Sequence, residues 1–108
     1  MSAIGQNRTL RTPEHPMMQS ITLNLPYDLS KADWAKVAAV YRSMDGWLEE
    51  NSTWFGPWDS EFFIGASVEP SGLLVTGNTD PLLFRGWITK LCAKLTAALG
   101  KEVYDAEV

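Results

Sequence analysis

The chain has 108 residues, of which 45% are hydrophobic and 20% charged, and its formal net charge is -4 at pH 7. This length and composition predict one small globular domain with a single core and exclude wholesale disorder. The acidic balance argues against nucleic acid as a partner, because phosphate binding relies on clusters of Lys and Arg.

The first residues are expected to lie outside the domain. Residues 1–19 contain glycine and proline and show no apolar periodicity, so we interpret them as a flexible leader and place the domain at residues 20–108. Residues 21–25 then alternate between apolar and polar side chains. This alternation predicts a strand with one buried and one wet face.

A helix is predicted directly after this strand. Ser30 followed by Asp33 is a variant capping box, which indicates a helix start. Apolar residues then recur at spacings near three and four from Trp34 to Met44, which places one side of the helix against the core. Gly46 is the expected left-handed stop.

The middle of the chain predicts a loop and a hairpin. Residues 47–59 have no clear period and contain Gly and Pro, so we predict a long loop. Alternation from residue 60 predicts a strand, the Glu-Pro-Ser-Gly sequence at 69–72 a turn, and residues 73–76 the returning strand.

The end of the chain predicts a second helix. Asp80-Pro81 combines an N-cap acid with a proline at the first helical position. The apolar series from Phe84 to Leu99 then continues for about five turns, and Gly100 is the expected stop. Residues 103–108 suggest a short last strand.

This order of elements predicts a ferredoxin-like α+β two-layer sandwich, β-α-β-β-α with a further last strand, in which an antiparallel sheet carries both helices on one face. The other sheet face is then left to water, a partner or a second copy. We expect it to present Thr22, Asn24, Phe63, Ser67 and Thr76, with Phe63 as the anchor of a homodimer.

Charge and aromatic residues are segregated along the chain. Between Arg42 and Arg85 there is no positive charge, yet these 42 positions hold seven carboxylates and three of the five tryptophans. Such a segment is typical of an adhesive surface that prefers a basic partner. We predict a partner-binding surface in which carboxylates steer and aromatic side chains anchor, formed by Trp54, Phe55, Trp58, Asp59, Glu61, Glu49 and Glu50. The plainer alternative is that the tryptophans fold back over the sheet edge as an auxiliary core.

The positive residues of the second helix form the opposite pole. Lys90, Lys94 and Lys101 fall on one side of the helical wheel, away from the apolar stripe, where a solvated face explains them. Together with the acidic segment they predict an electrically lopsided domain.

No motif for catalysis, a metal or a cofactor accompanies these features. Asp59 and Glu61 are close enough in sequence to form a carboxylate pair, but no other residues complete an acid–base or metal site. His15 is the only histidine and falls in the leader. The single cysteine, Cys92, excludes an internal disulfide and is expected to be a buried, inert thiol in a reducing compartment.

The leading hypothesis is a small, acidic, non-enzymatic protein that binds a basic protein partner, for example a bacterial immunity or inhibitor-type protein. We expect it in the cytoplasm, because the sequence has neither an apolar run for a membrane span nor the apolar core of a signal peptide. One alternative is a small-molecule binding module with the aromatic loop as a lid, which requires a concave pocket of ~300 Å³ or more. A third hypothesis, an enzyme with Asp59 or Glu61 as general base, requires that one of them line a cleft.

Overall fold

The fold is known from a computed structural model of the chain, which describes residues 18–106. Five strands and two helices occur in this range, so the predicted α+β class is confirmed. In chain order the elements are β1 (Met18–Leu23), α1 (Lys31–Ser43), β2 (Trp47–Leu48), β3 (Thr53–Trp54), β4 (Phe63–Glu69), β5 (Gly72–Asn78) and α2 (Pro81–Leu99).

The strands form one antiparallel sheet in the order β1-β5-β4-β3-β2. The predicted hairpin of β4 and β5 is present, and its turn falls at Pro70 and Ser71. β1 joins the free side of β5, so that Val75 lies opposite Ile21 on one side and Ala66 on the other. β5 is therefore the central strand of the three long ones.

The predicted loop over residues 47–59 is wrong in part, because it contains β2 and β3. These two short strands pair with each other, Trp47 opposite Trp54, and Trp54 also pairs with Ile64 of β4. Each has only two residues, too few for an alternation to be visible in the sequence. With this hairpin added to the sheet, the strand order does not reproduce the expected ferredoxin-like plan cleanly.

The ends of the described range also differ from the prediction. β1 begins at Met18, so the last two residues assigned to the leader belong to the sheet, while residues 1–17 lie outside the described part. The expected last strand is reduced to one antiparallel bridge between Leu23 and Asp105. Val108 lies outside the described residues.

Both helices begin where their caps predict. The Ser30 hydroxyl accepts a hydrogen bond from the backbone N–H of Asp33, and the Asp80 carboxylate accepts from the N–H groups of Leu82 and Leu83. Neither helix of the described range is long and apolar enough to cross a membrane.

The helices end differently from one another. Gly100 ends α2 in a left-handed conformation, as predicted. α1 ends at Ser43 with Met44 extended at the cap, so the prediction of Gly46 as its stop is wrong. Gly46 does have a positive φ of 89°, but its role is to leave room for the ring of Phe55, which lies 2.6 Å from the position of a Cβ.

The core lies between the helices and one face of the sheet. Both helices contribute to a single apolar cluster and pack against each other. Fully burying a Leu, Val, Ile or Phe side chain is worth about 1.5–3 kcal/mol, so this cluster dominates the stability of the domain. Its fully or almost fully buried members include Leu23, Val37, Trp54, Ile64, Leu73, Val75, Leu91 and Leu95.

Candidate partner-binding surface

The first tryptophan of the predicted surface, Trp54, lies in the core instead. Its side chain is fully buried, and its ring packs edge-on against Trp87 with 4.7 Å between the ring centroids. The indole N–H donates to the backbone carbonyl of Tyr41 at 2.9 Å. Burial and a satisfied N–H leave nothing for a partner to contact, so Trp54 follows the auxiliary-core alternative and is not a surface anchor.

The second tryptophan, Trp58, lies over the opposite face of the sheet. Its indole rests on Gly65, where a Cβ would come within 2.5 Å of the ring, and it packs against Phe63 at 5.5 Å between centroids. Trp58 keeps 46% of its surface exposed, whereas Phe63 is fully buried. The expected homodimer anchor Phe63 is therefore covered.

The loop that carries Trp58, residues 55–62, is hydrogen-bonded in place along its length. The Thr53 hydroxyl donates to the carbonyl of Gly56 at 2.6 Å. The side-chain amide of Asn78 donates to the carbonyl of Glu61 at 3.0 Å. These bonds connect both ends of the loop to strands of the sheet, so the loop has a defined backbone.

Two residues of this loop, Phe55 and Asp59, and Ser52 shortly before it have left-handed backbone, with φ values of 72°, 64° and 54°. This conformation costs of order 1–3 kcal/mol and persists only where the surroundings enforce it. At Phe55 the ring packs over Gly46 and against Phe62, with 5.5 Å between the two ring centroids. The loop therefore holds its aromatic side chains in one arrangement.

The carboxylates of the acidic segment do not form one surface. Asp45 lies 3.7 Å from Lys90, and Glu49 accepts hydrogen bonds from the indole of Trp47 at 2.8 Å and from Arg42 at 3.3 Å. The Trp47 hydrogen bond, followed by the charge of Arg42, holds the pKa of Glu49 below its ordinary value. Both acids thus have a partner within the domain, while their side chains remain largely exposed.

Two further acids of the segment also have local roles. Glu69 accepts a hydrogen bond from the Ser67 hydroxyl at 2.6 Å, and Asp80 caps α2. Within residues 18–106, the exposed side chains of Glu50, Asp59 and Glu61 have no hydrogen-bond or ion-pair partner.

Three of the predicted site residues, Trp58, Asp59 and Glu61, are therefore exposed on the same loop, residues 55–62. Phe55 belongs to the same loop but is half-buried. Glu49 and Glu50 belong instead to the β2–β3 hairpin.

The positive face of α2 is not a separate pole. Lys94 donates to the backbone carbonyl and the hydroxyl of Ser43 at 3.2 and 3.0 Å, and Lys90 pairs with Asp45. One acid of the segment and one lysine of α2 thus meet at the end of α1.

Three exposed apolar residues in the loop or next to it were not among the predicted site residues. Phe62 is 42% exposed, and Leu82 and Leu83 at the start of α2 are exposed as well. The only signal for the two leucines is that they precede the apolar stripe of α2, which begins at Phe84. Phe62 fitted the alternation of β4 and was therefore interpreted as a strand residue, but the strand begins at Phe63.

Catalysis and a lid over a ligand each require a concave site. Four surface depressions have volumes of about 300 to 410 Å³, and neither Asp59 nor Glu61 lines any of the four, so we propose no general base. Trp58 lines none of them and rests on the sheet, whereas Phe55 of the same loop lines the depression of about 320 Å³ at the start of α2.

Metal binding and thiol chemistry have no better support. No group of three metal-ligating side chains occurs in the described part of the chain. Burial raises the pKa of the half-buried Cys92 thiol, and Asp105 raises it further, which keeps the thiol protonated.

Comparison of the chain with protein-family models, with curated proteins and with solved structures finds no match. The function is therefore argued from this surface alone.

Proposed function

We propose that this chain is a non-enzymatic interaction protein that binds a basic protein partner through the loop surface, which consists of Trp58, Asp59, Glu61 and Phe62. One observation carries the proposal: along a loop whose backbone is held by hydrogen bonds, the sequence from Trp58 to Phe62 begins and ends with an exposed aromatic side chain and contains two unpaired carboxylates. A bacterial immunity or inhibitor-type protein is the instance that its small size and acidity favour.

Three physical effects support this proposal. Buried aromatic anchors carry much of the energy of protein interfaces. Carboxylates next to them raise the rate of association with a positively charged surface. A loop that is already ordered loses little conformational freedom on binding, which leaves more of the contact energy as affinity.

We also propose that the fold is ferredoxin-like with an inserted hairpin. β1 and β4 are both antiparallel to β5 and thus parallel to each other, and the bridge at Asp105 lies beside β1. The β2–β3 hairpin then extends the sheet beyond β4. This likeness carries no function by itself.

The test begins with the immobilised chain and an extract of its native host. The retained protein is identified and purified, and its affinity is measured for the wild type, for Trp58→Ala and for the double variant Asp59→Asn/Glu61→Gln. We expect a basic partner, a loss of affinity of about tenfold or more for Trp58→Ala, and slower association for the double variant. Added salt should slow association in the same way.

Glu50→Gln is the matched control, because it removes an equally unpaired carboxylate that lies on the hairpin rather than on the loop surface. Circular dichroism checks that each variant is folded. The proposal is refuted if the purified partner binds Trp58→Ala and the double variant as tightly and as fast as it binds the wild type.

A further inference from the structure

The indole ring of Trp58 lies flat on the open face of the sheet. A Cβ at Gly65 would be 2.5 Å from Cζ2 of this ring and 2.7 Å from each of the two atoms next to it, Cε2 and Cη2. An approach in the plane of the ring would leave those two atoms much farther away than Cζ2, so the backbone of Gly65 lies under the face of the indole. Trp58 remains half exposed, which leaves its outer face open to solvent.

A β-turn holds Asp59 next to this ring. The backbone N–H of Ser60 donates to the carbonyl of Pro57 at 3.1 Å, so Trp58 and Asp59 are the two central residues of the turn. Asp59 has a φ of 64°, whereas the φ of Trp58 is not positive, which is the pattern of a type II turn. Glu61 follows Trp58 by three positions, a stretch that spans at most about 11 Å between Cα atoms. This distance is close to the screening length in physiological salt, about 8–10 Å, so neither carboxylate is remote from a charge placed on the ring.

The sheet face under Trp58 has charge of one sign. The strands β1, β4 and β5 contain no Lys or Arg, and neither does the loop of residues 55–62. Glu69 lies on the same face as Gly65, because the two are four positions apart in β4. Asp59 and Glu61 have no ion-pair partner within residues 18–106. The surface therefore complements a positively charged group.

Positive charges of the domain are held elsewhere. Lys36, Arg42 and Lys90 each form an ion pair with an acid outside the loop surface. Arg85 and Lys101 line two depressions, one beside β1 and one beside the β4–β5 turn, and each depression also contains an acid. None of these five cations therefore neutralises the carboxylates of the loop.

An exposed indole face with unpaired carboxylates near it is the chemistry that recognises an arginine. The guanidinium group is planar and weakly hydrated, so it stacks on an aromatic face while its N–H groups donate to a carboxylate. A lysine ammonium is a strongly hydrated point charge and matches a flat ring less well. Tryptophan attracts cations more strongly than the other aromatic residues do. An apolar side chain could cover the ring as well but would gain nothing from the acids.

We infer that the outer face of Trp58 binds an arginine side chain of the basic partner, whose guanidinium stacks on the indole and pairs with Asp59 or Glu61. This inference rests on the proposed function and specifies it, because the partner must present an arginine to the loop surface rather than a positive charge of any kind. Gly65 has a defined part in the site, since the missing Cβ allows the ring to lie flat with one whole face outward.

The test is an NMR titration of the ¹⁵N-labelled full chain with the capped peptide Gly-Ser-Arg-Ser-Gly. Two further peptides replace Arg with Lys or with citrulline, which has nearly the shape of arginine but no charge. The indole N–H of Trp58 is the readout, and those of Trp47, Trp54 and Trp87, which donate to acceptors within the domain, are internal references. We expect millimolar affinity for the Arg peptide, about threefold or more weaker binding of the Lys peptide and about fivefold or more weaker binding of the citrulline peptide.

Two variants separate the ring from the charges. Trp58→Leu keeps an apolar side chain over Gly65 but removes the aromatic face, so it should abolish the preference for Arg over Lys. The backbone N–H groups of residues 58–62 report on binding in this variant. Asp59→Asn/Glu61→Gln should instead reduce the preference for Arg over citrulline and keep the preference for Arg over Lys.

Tyr27→Leu is the matched control, because Tyr27 is an exposed aromatic residue outside the loop surface and its removal should leave Arg binding unchanged. Trp58→Phe keeps a smaller aromatic face and should retain part of the preference for Arg over Lys. It provides a second test if circular dichroism shows that Trp58→Leu is not folded.

The outcomes separate the inference from the proposal beneath it. Absence of Arg binding, equal binding of the Arg and Lys peptides, or an Arg preference that survives in Trp58→Leu overturns the arginine site alone, because the purified host partner tests the proposed function separately. An acidic host partner overturns both. A shift of the Trp58 indole resonance in Arg8→Gln/Arg11→Gln without any peptide identifies arginines of this chain as the occupant and overturns the assignment to a partner.

Discussion

Trp54 and Trp58 are four residues apart, yet they lie on opposite faces of the sheet. Trp54 pairs with Ile64 on the helix side and is fully buried, whereas Trp58 lies on Gly65, the next residue of β4, and is half exposed. Successive residues of a strand point to opposite faces, so the loop has carried the chain round the sheet edge between the two tryptophans. Closeness in sequence therefore does not place two aromatic side chains in one surface.

The carboxylates of the hairpin and of the loop also differ in whether they have a partner. On the β2–β3 hairpin, Glu49 is bonded to Trp47 and Arg42, while on the loop surface Asp59 and Glu61 have no partner in the described part of the chain. The β2–β3 hairpin is thus packed into the domain, whereas the side chains of the loop surface are exposed to solvent.

The largest expected effect is on stability when the two tryptophans are removed in turn. Trp54→Ala should lower the free energy of unfolding by about 3–5 kcal/mol, the usual cost of truncating a buried aromatic residue. Trp58→Ala should cost roughly 1–2 kcal/mol, because about half of its side chain is already in water. Urea denaturation measures both.

Trp54→Phe is the control for packing, since it keeps an aromatic ring and removes the hydrogen bond to Tyr41. Its cost should lie well below that of Trp54→Ala. Equal losses for Trp54→Ala and Trp58→Ala would show that the loop contributes as much to the stability of the domain as the β2–β3 hairpin does.

A smaller effect is expected when the loop backbone is disturbed without removing any aromatic side chain. In Gly56→Ala the new Cβ would lie 2.3 Å from the carbonyl oxygen of Phe62 and 2.7 Å from the hydroxyl of Ser60. Because a backbone atom cannot move away alone, we expect a loss of about 1–3 kcal/mol, measured by urea denaturation. Hydrogen exchange should show faster exchange at the amides of residues 55–62.

Gly86→Ala is the matched control for this substitution, because the same methyl group is added where nothing lies within 4 Å. It should stabilise the domain by about 0.5–1 kcal/mol through helix propensity. A Gly56→Ala protein as stable as the wild type, with unchanged exchange in the loop, would show that the loop is not held as tightly as its hydrogen bonds indicate.

The elements that could be predicted from the sequence are those with local signals. The caps at Ser30 and Asp80, the turn at Pro70, and the left-handed stop at Gly100 all depend on residues within one turn of one another. Each of these predictions is confirmed, because local backbone chemistry decides them.

The elements that could not be predicted depend on distant partners. Trp54 becomes a core residue only because β3 pairs with β4 ten positions later, and two-residue strands leave no period to detect. The depression at the start of α2 is lined by Phe55, Leu82 and Trp87, which lie up to 32 positions apart. The sequence could indicate the segment that carries the loop surface but not which of its side chains point outward.

The smallest expected effect concerns the titration of Glu49. It tests whether this carboxylate of the hairpin is held by its neighbours, unlike the carboxylates of the loop. The Trp47 indole lowers the pKa of this carboxylate, so its contribution to stability is present above the unfolded-state pKa and is lost as the pH falls through the folded-state pKa. Trp47→Phe removes the largest cause and should raise the pKa of Glu49 toward its ordinary value, as measured by the pH dependence of its carboxyl ¹³C shift. Arg42→Gln removes the weaker partner and should also raise it. If Trp47→Phe leaves the titration unchanged, Glu49 is not tied to the framework, and it would have to be counted among the carboxylates that are free to meet a basic partner.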